Sequence, residues 1–209
     1  MFVSVKNPEL LTITSKIENT AYFGGNQEWY EKNWNKQAGC GATCASNISA
    51  YLAASGKDLK NLYPYAAMEK ADFTKQMEDM ILYVTPGAMG VNHVKKFTDG
   101  FDRFLKERNA SLTAKVLVTD KVPKPERKLS ELMDFVREGL LSDCPLAFLN
   151  LSKGEEKRIQ GWHWITITEA EITDDRVKAV ASDEGKKIEF DLGLWFLTTR
   201  KHGGLIYYS

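Results

Sequence analysis

Residues that together could make a thiol nucleophile occur along this chain in the order Cys, His, Asp. Cys40 stands in Gln37-Ala38-Gly39-Cys40-Gly41-Ala42-Thr43-Cys44, ahead of a segment whose apolar positions Cys44, Ile48, Tyr51 and Leu52 recur at helical spacing. A thiol in the first turn of a helix meets the positive end of the macrodipole and backbone N–H groups without intrahelical partners. Both favour a thiolate and, later, an oxyanion. His163 opens the strand-like run His163-Trp164-Ile165-Thr166-Ile167-Thr168, and an imidazole is the usual group to take the proton of such a nucleophile. Cys44, one turn deeper on the same helix face, reads as a small buried hydrophobe, as does Cys144 before Pro145.

A hairpin links His163 to a carboxylate. Centring its turn on Thr173, in Ile172-Thr173-Asp174-Asp175, pairs Ile165 with Ala181 and Ile167 with Ala179, apolar against apolar. That register sets Asp183 directly opposite His163 on the same face, at a Cβ separation of about 4.5–5.5 Å. A slip by one residue would present Ser182 instead and set Lys178 against Ile167. Asp183 is therefore expected to orient the imidazole and fix its tautomer, and Ser182 to matter little.

The elements that must position these groups change character along the chain. Leu10–Ile17 and Thr20–Phe23 read as short strands broken at Gly24-Gly25, and Asn26 can cap a short helix over Gln27–Asn33. Gly39 opens the helix of Cys40 and Gly56 ends it. Helices follow over Ala66–Val84, with Phe73, Met77, Met80, Ile81 and Val84 on one face, and over Val91–Arg108, with Val94, Phe97, Phe101, Phe104 and Leu105 inward. Beyond them come a strand at Leu112–Val118, a stiff connector at Val122-Pro123-Lys124-Pro125 and an amphipathic helix at Leu129–Leu141. Leu146–Leu151, Trp162–Thr168, Val177–Ser182, Lys187–Phe190 and Leu205–Tyr208 are strand-like. Helices first and antiparallel strands second predict an α+β fold. One domain over residues 1–209 is expected, with a helical lobe at about 20–110, a β lobe at about 111–209 and a cleft between them.

Bulk composition excludes several classes. A chain of 209 residues can bury about 70% of its unfolded surface without a disulfide or metal staple. Twenty-eight basic residues balance twenty-eight acidic ones, so a nucleic-acid partner is not expected. The N-terminal segment lacks the pattern of a signal peptide, and no run approaches the roughly 20 apolar residues that span a bilayer. Three cysteines, an odd number, point away from a disulfide framework and toward a reducing cytoplasm. Cys40 and Cys44 are not a Cys-x-x-Cys pair, and His93 and His202 lack metal-ligand spacing, so no metal or cofactor is expected.

Cys40-Gly41-Ala42-Thr43 resembles the Cys-Gly-Pro-Thr start of the papain-like cysteine peptidase superfamily, in particular its bacterial branch related to bacteriocin double-glycine leader peptidases. His163-Trp164-Ile165-Thr166-Ile167-Thr168 resembles the His-led, Thr-rich strand of that branch. Gly25-Asn26-Gln27-Glu28-Trp29-Tyr30 before an Ala-Gly-Cys-Gly start is similar to stand-alone members from Gram-positive bacteria. The resemblance covers about residues 20–56 and 145–209; the middle helices match nothing specific. It implies a papain-like fold and a peptide or protein substrate. It also implies an oxyanion hole built from the nucleophile's own N–H and a Gln side chain.

The family's Gln lies about six residues before the Cys, where this chain has Trp34 and Asn35. Gln27 is farther upstream and Gln37 nearer. Gln27 is preferred, because Gln37 is tethered too closely to Cys40 for its amide to turn back over the thiol. Ala42 in place of the family's Pro costs little, since Pro is optional in a first helical turn. Three functions from different classes follow: a cysteine peptidase or amidase, an acyltransferase or transglutaminase-like enzyme using the same acyl-thiol chemistry, and a non-enzymatic binding protein lacking a competent oxyanion hole.

Overall fold

The helix that carries Cys40 is the pivot of the structure. In the computed structural model, which describes residues 1–56, 58–119 and 126–209, α2 (Cys40–Ala54) is buried from Gly41 to Leu52 without interruption. Small residues make that possible: Ala42, Ala45, Ser46, Ser49 and Ala50 let neighbours approach from every side. The buried hydroxyls are not orphaned. Thr43, Ser46 and Ser49 donate to the carbonyls of Gly39, Ala42 and Ser46 at 2.9–3.0 Å.

One side of α2 packs on a mostly central strand of a seven-stranded antiparallel sheet. The strands are β4 (Ala114–Val118), β9 (Gly203–Tyr208), β5 (Leu146–Asn150), β6 (His163–Thr173), β7 (Arg176–Asp183) and β8 (Lys186–Asp191) in spatial order, with β1 (Phe2–Ser4) beside the far end of β6. Helix α3 (Lys70–Met80) covers the other side of α2, and a separate hairpin, β2 (Thr12–Ser15) and β3 (Thr20–Phe23), packs against α3 and β8. Helix α4 (Val94–Glu107) buries Val94, Phe97, Phe101, Phe104 and Leu105, the face expected from its pattern. Helix α5 spans Leu129–Leu141 as read from the sequence. The buried apolar residues form one continuous cluster, and the architecture is α+β. No helix among the described residues is long and apolar enough to cross a membrane. The connector expected at Val122-Pro123-Lys124-Pro125 lies outside the described residues.

Several boundaries differ from expectation for local reasons. α3 is shorter than Ala66–Val84: Glu69 is held in a bridge to Thr14, and beyond Met80 the chain tightens through Leu82 N–Asp79 O and Tyr83 N–Met80 O bonds. The helix expected over Gln27–Asn33 is one 3₁₀ turn, Gln27–Trp29, capped by the Asn26 side chain on Glu28 N. Two helices had no reading at all: α1 (Asn33–Ala38), directly before the helix that carries Cys40, and α6 (Leu192–Thr198), capped by Asp191 on Leu194 N at 2.8 Å.

The β6–β7 register is corrected. The turn is not centred on Thr173 but runs between the paired residues Thr173 and Arg176, and Ala170 faces Ala179. Carried unchanged to the end of the hairpin, that register would put Asp183 on the face away from His163. A bulge at Thr168 inserts one residue, so Ile167 faces Ala181 and Thr166 faces Ser182. The turn shifts the pairing by three residues and the bulge takes one back, so the net shift of two restores the parity. Asp183 returns to the face of His163, reaching it along the diagonal rather than from directly opposite.

Candidate active site

Cys40 begins α2 straight after α1, with Gly39 closing one helix and opening the next. Gly39 is required there: a Cβ would run into the carbonyl oxygen of Asn35 and the ring of Tyr30. The crowding fixes where the new helix starts and so which residue occupies its first turn.

His163 follows Trp162, whose φ of +58° is unusual for a bulky side chain. That left-handed residue turns the incoming loop so that β6 begins with the imidazole beside Cys40. His163 Nε2 lies 2.7 Å from Asp183 Oδ1, and both side chains are only 10% exposed. Nδ1 is left to serve the sulfur. Burial alone would lower the proton affinity of this imidazole. The Asp183 hydrogen bond and the neighbouring Cys40 sulfur outweigh it and lift the pKa to about 10. A charged imidazolium between a sulfur and a carboxylate is the resting state this geometry favours.

Gln27, Cys40 and His163 line one small cavity of about 10 Å³, room for about one water or one reacting oxygen. Gln27 Oε1 is buried without a hydrogen-bond partner among the described residues. The two competing amides lie elsewhere. Gln37 is exposed along a second depression beside Cys40, and Asn35 is buried with its amide on Glu78. That second depression, about 350 Å³, carries no charged side chain in its walls; Trp34, Met89, Val91, Trp162 and Trp164 give it an apolar lining.

The other thiols are less suited to this chemistry, although Cys44 lines the same small cavity. Cys44 is buried, donates to Ile165 O and accepts from Thr166 Oγ1, each at 3.3 Å; burial pushes its pKa up to about 12. Cys144 is fully buried. Among the described residues, ligating atoms of His163, Asp183 and Glu184 lie within 4.8 Å of one another. The imidazole nitrogen on that side is already engaged by Asp183, so a cation there would have to displace the ion pair.

The sequence reading missed two residues around the site. Asn47 is 2% exposed and hydrogen-bonds on three sides, and Ser182, expected to be a bystander, is buried and donates to Phe23 O at 2.6 Å. A signal for Asn47 was present: an amide seven residues after Cys40, on a helix whose neighbouring positions are small or apolar. Ser182 carried none, since its partner is a backbone carbonyl far away in sequence.

No protein-family model matches the chain, and neither does any curated protein. Among solved structures, UfSP from C. elegans, a cysteine protease of papain-like fold, superposes with a TM-score of 0.52 at 11% sequence identity. The match takes in 100% of this chain and 34% of that one, so this chain spans about a third of its structural neighbour. Helices packed on an antiparallel sheet, a thiol at the start of the buried helix and this superposition lead to one conclusion: the chain has the papain-like cysteine protease fold.

Proposed function

We propose that this chain is a cysteine peptidase acting on a peptide or protein, with Cys40 as nucleophile, His163 as acid and base, Asp183 as the residue that orients the imidazole, and Gln27 as oxyanion donor. The observation that carries the reading is the meeting of Cys40, His163 and Gln27 at one oxygen-sized cavity, with Asp183 2.7 Å behind the imidazole. Attack of the Cys40 sulfur on a carbonyl carbon would form a tetrahedral oxyanion, stabilised by Cys40 N–H and the Gln27 amide. His163, protonated at rest, would give its proton to the leaving amine, which departs as the thioester forms. The neutral imidazole would then take a proton from water, and the resulting attack would release the acid and free the Cys40 sulfur beside the reprotonated imidazole, as at the start. The uncharged trough beside Cys40 suits an apolar stretch of substrate. Three cysteines, none joined in a disulfide, suit a reducing compartment such as the cytoplasm.

A binding protein that has kept only the fold is the less favoured reading, because the family's oxyanion amide has a counterpart in Gln27 despite its shifted place in the sequence. Alkylation tests the assignment. At pH 6 an ordinary exposed thiol is well under about 1% ionised and reacts slowly with iodoacetamide. Cys40 is expected to react tens of times faster than such a thiol (roughly, from the same ionisation argument), with Cys44 and Cys144 silent until the protein unfolds. Peptide mapping of the labelled protein reads the site. A Cys40 rate no greater than that of a free small-molecule thiol would remove the activated nucleophile from the proposal.

A further inference from the structure

We infer that Asn47 is a positioning residue for this reaction, holding the oxyanion glutamine, the nucleophile helix and both strands of the imidazole–carboxylate pair in one fixed arrangement. The inference rests on the peptidase reading above. Asn47 Oδ1 accepts from Gly25 N at 2.8 Å, two residues before Gln27. Its Nδ2 donates to Thr166 Oγ1 at 3.0 Å, on the strand that His163 opens, and to Ser182 Oγ at 3.4 Å, next to Asp183. Asn47 itself stands two turns beyond Cys40 on α2. One planar amide thus touches all four segments that carry the proposed machinery.

The contacts continue outward. Ser182 Oγ donates to Phe23 O at 2.6 Å, Phe23 N donates to Gly185 O at 2.8 Å, and Asn26 Nδ2 donates to Glu184 O at 3.1 Å. The segment ahead of Gln27 is therefore clamped to the turn that follows Asp183, with Asn47 beneath both. Gly24 makes the closeness possible: its φ is +76°, and a Cβ there would collide with Ser182 Oγ and approach Asn47 Nδ2 to 2.9 Å. Neither an apolar nor an acidic side chain satisfies the same set. An apolar side chain would orphan the Gly25 N–H. A carboxylate would accept from Gly25 but could not donate to Thr166, whose own proton is directed at Cys44. Asn is a poor helix former in a helix interior, and its place here is explained by what it holds rather than by local propensity.

The test uses the full chain and two readouts, each normalised to the amount of titratable Cys40. Asn47→Ala and Asn47→Asp are expected to lower kcat by about 10- to 10²-fold with KM within about threefold, the scale of a small misplacement of reacting groups. With Gln27→Ala already present, Asn47→Ala should cost clearly less than it does alone, because part of its effect runs through the glutamine. Cys40 alkylation at pH 6 needs no substrate, and Asn47→Ala should slow it about tenfold through the displaced imidazole. If Asn47→Ala fails to fold, Thr166→Val and Ser182→Ala remove single members of the network while keeping shape, and each should lower kcat several-fold (about, by the same positioning argument). Unchanged kcat per titrated thiol in the folded variants, or losses that simply multiply with Gln27→Ala, would overturn the inference even if melting temperatures fell. A wild-type chain that labels rapidly but turns over no peptide would count against the peptidase reading alone. The alkylation rates would still decide the role of Asn47.

Discussion

Replacing His163 by Ala should abolish useful turnover, lowering kcat by about 10³-fold, since a positioned acid–base group of this kind contributes roughly 10²–10⁴-fold. In the proposed mechanism, leaving-amine protonation and water activation both depend on the same ring. The variant should also lose the fast alkylation of Cys40 at pH 6, because the sulfur loses its cationic neighbour. The wild-type pH profile carries the sign of the His163 shift. Its proton is held to a pKa of about 10, so activity should persist through mildly alkaline pH and fall as His163 deprotonates near pH 10. Asp183→Asn removes the carboxylate that raises the affinity and should move that alkaline limb downward. Folding stability follows the same direction. The contribution of a raised imidazole pKa is complete below the unfolded value of about 6.5 and is lost as pH climbs through the folded one. An alkaline limb unmoved by Asp183→Asn would mean that the 2.7 Å contact does not govern the imidazole.

Gln27→Ala should lower kcat by about 10²-fold with little change in KM, the signature of a donor that acts on charge developed only in the transition state. Gln37→Ala should cost little, because Gln37 is exposed along the apolar depression, away from the cavity shared by Gln27, Cys40 and His163. Steady-state kinetics on both variants separates them. Equal losses, or a larger loss for Gln37→Ala, would transfer the oxyanion role.

Much of this arrangement was legible in the sequence where local rules act alone. Helix α5 and the inward face of α4 follow from periodicity, and the start of α2 follows from Gly39 and the small residues after it. The pairing of His163 with Asp183 was reached through a register that does not occur. The misplaced turn shifted the pairing by three residues, and the bulge at Thr168, which no local pattern announces, took one back and restored the parity. The face was therefore right and the pairing wrong. α1 stayed hidden because six residues with exposed Trp34 and Gln37 present no apolar stripe. Asn47 stayed hidden because its partners, Gly25, Thr166 and Ser182, come together only when the hairpin, the helix and the 3₁₀ turn have packed. Periodicity reports which face is buried; it does not report which polar group will be waiting there.

Cys40 is expected to form a covalent acyl intermediate with a carbonyl substrate. Acid-quenching the protein within its first turnover of an activated peptide ester, followed by intact-mass measurement and peptide mapping, addresses it directly. The expected result is one acyl group per chain, on Cys40, labile to hydroxylamine as a thioester is, absent in Cys40→Ala and persisting longer in His163→Ala if it forms at all. Turnover that survives Cys40→Ala, or an acyl group found on Cys44 or Cys144, would contradict it.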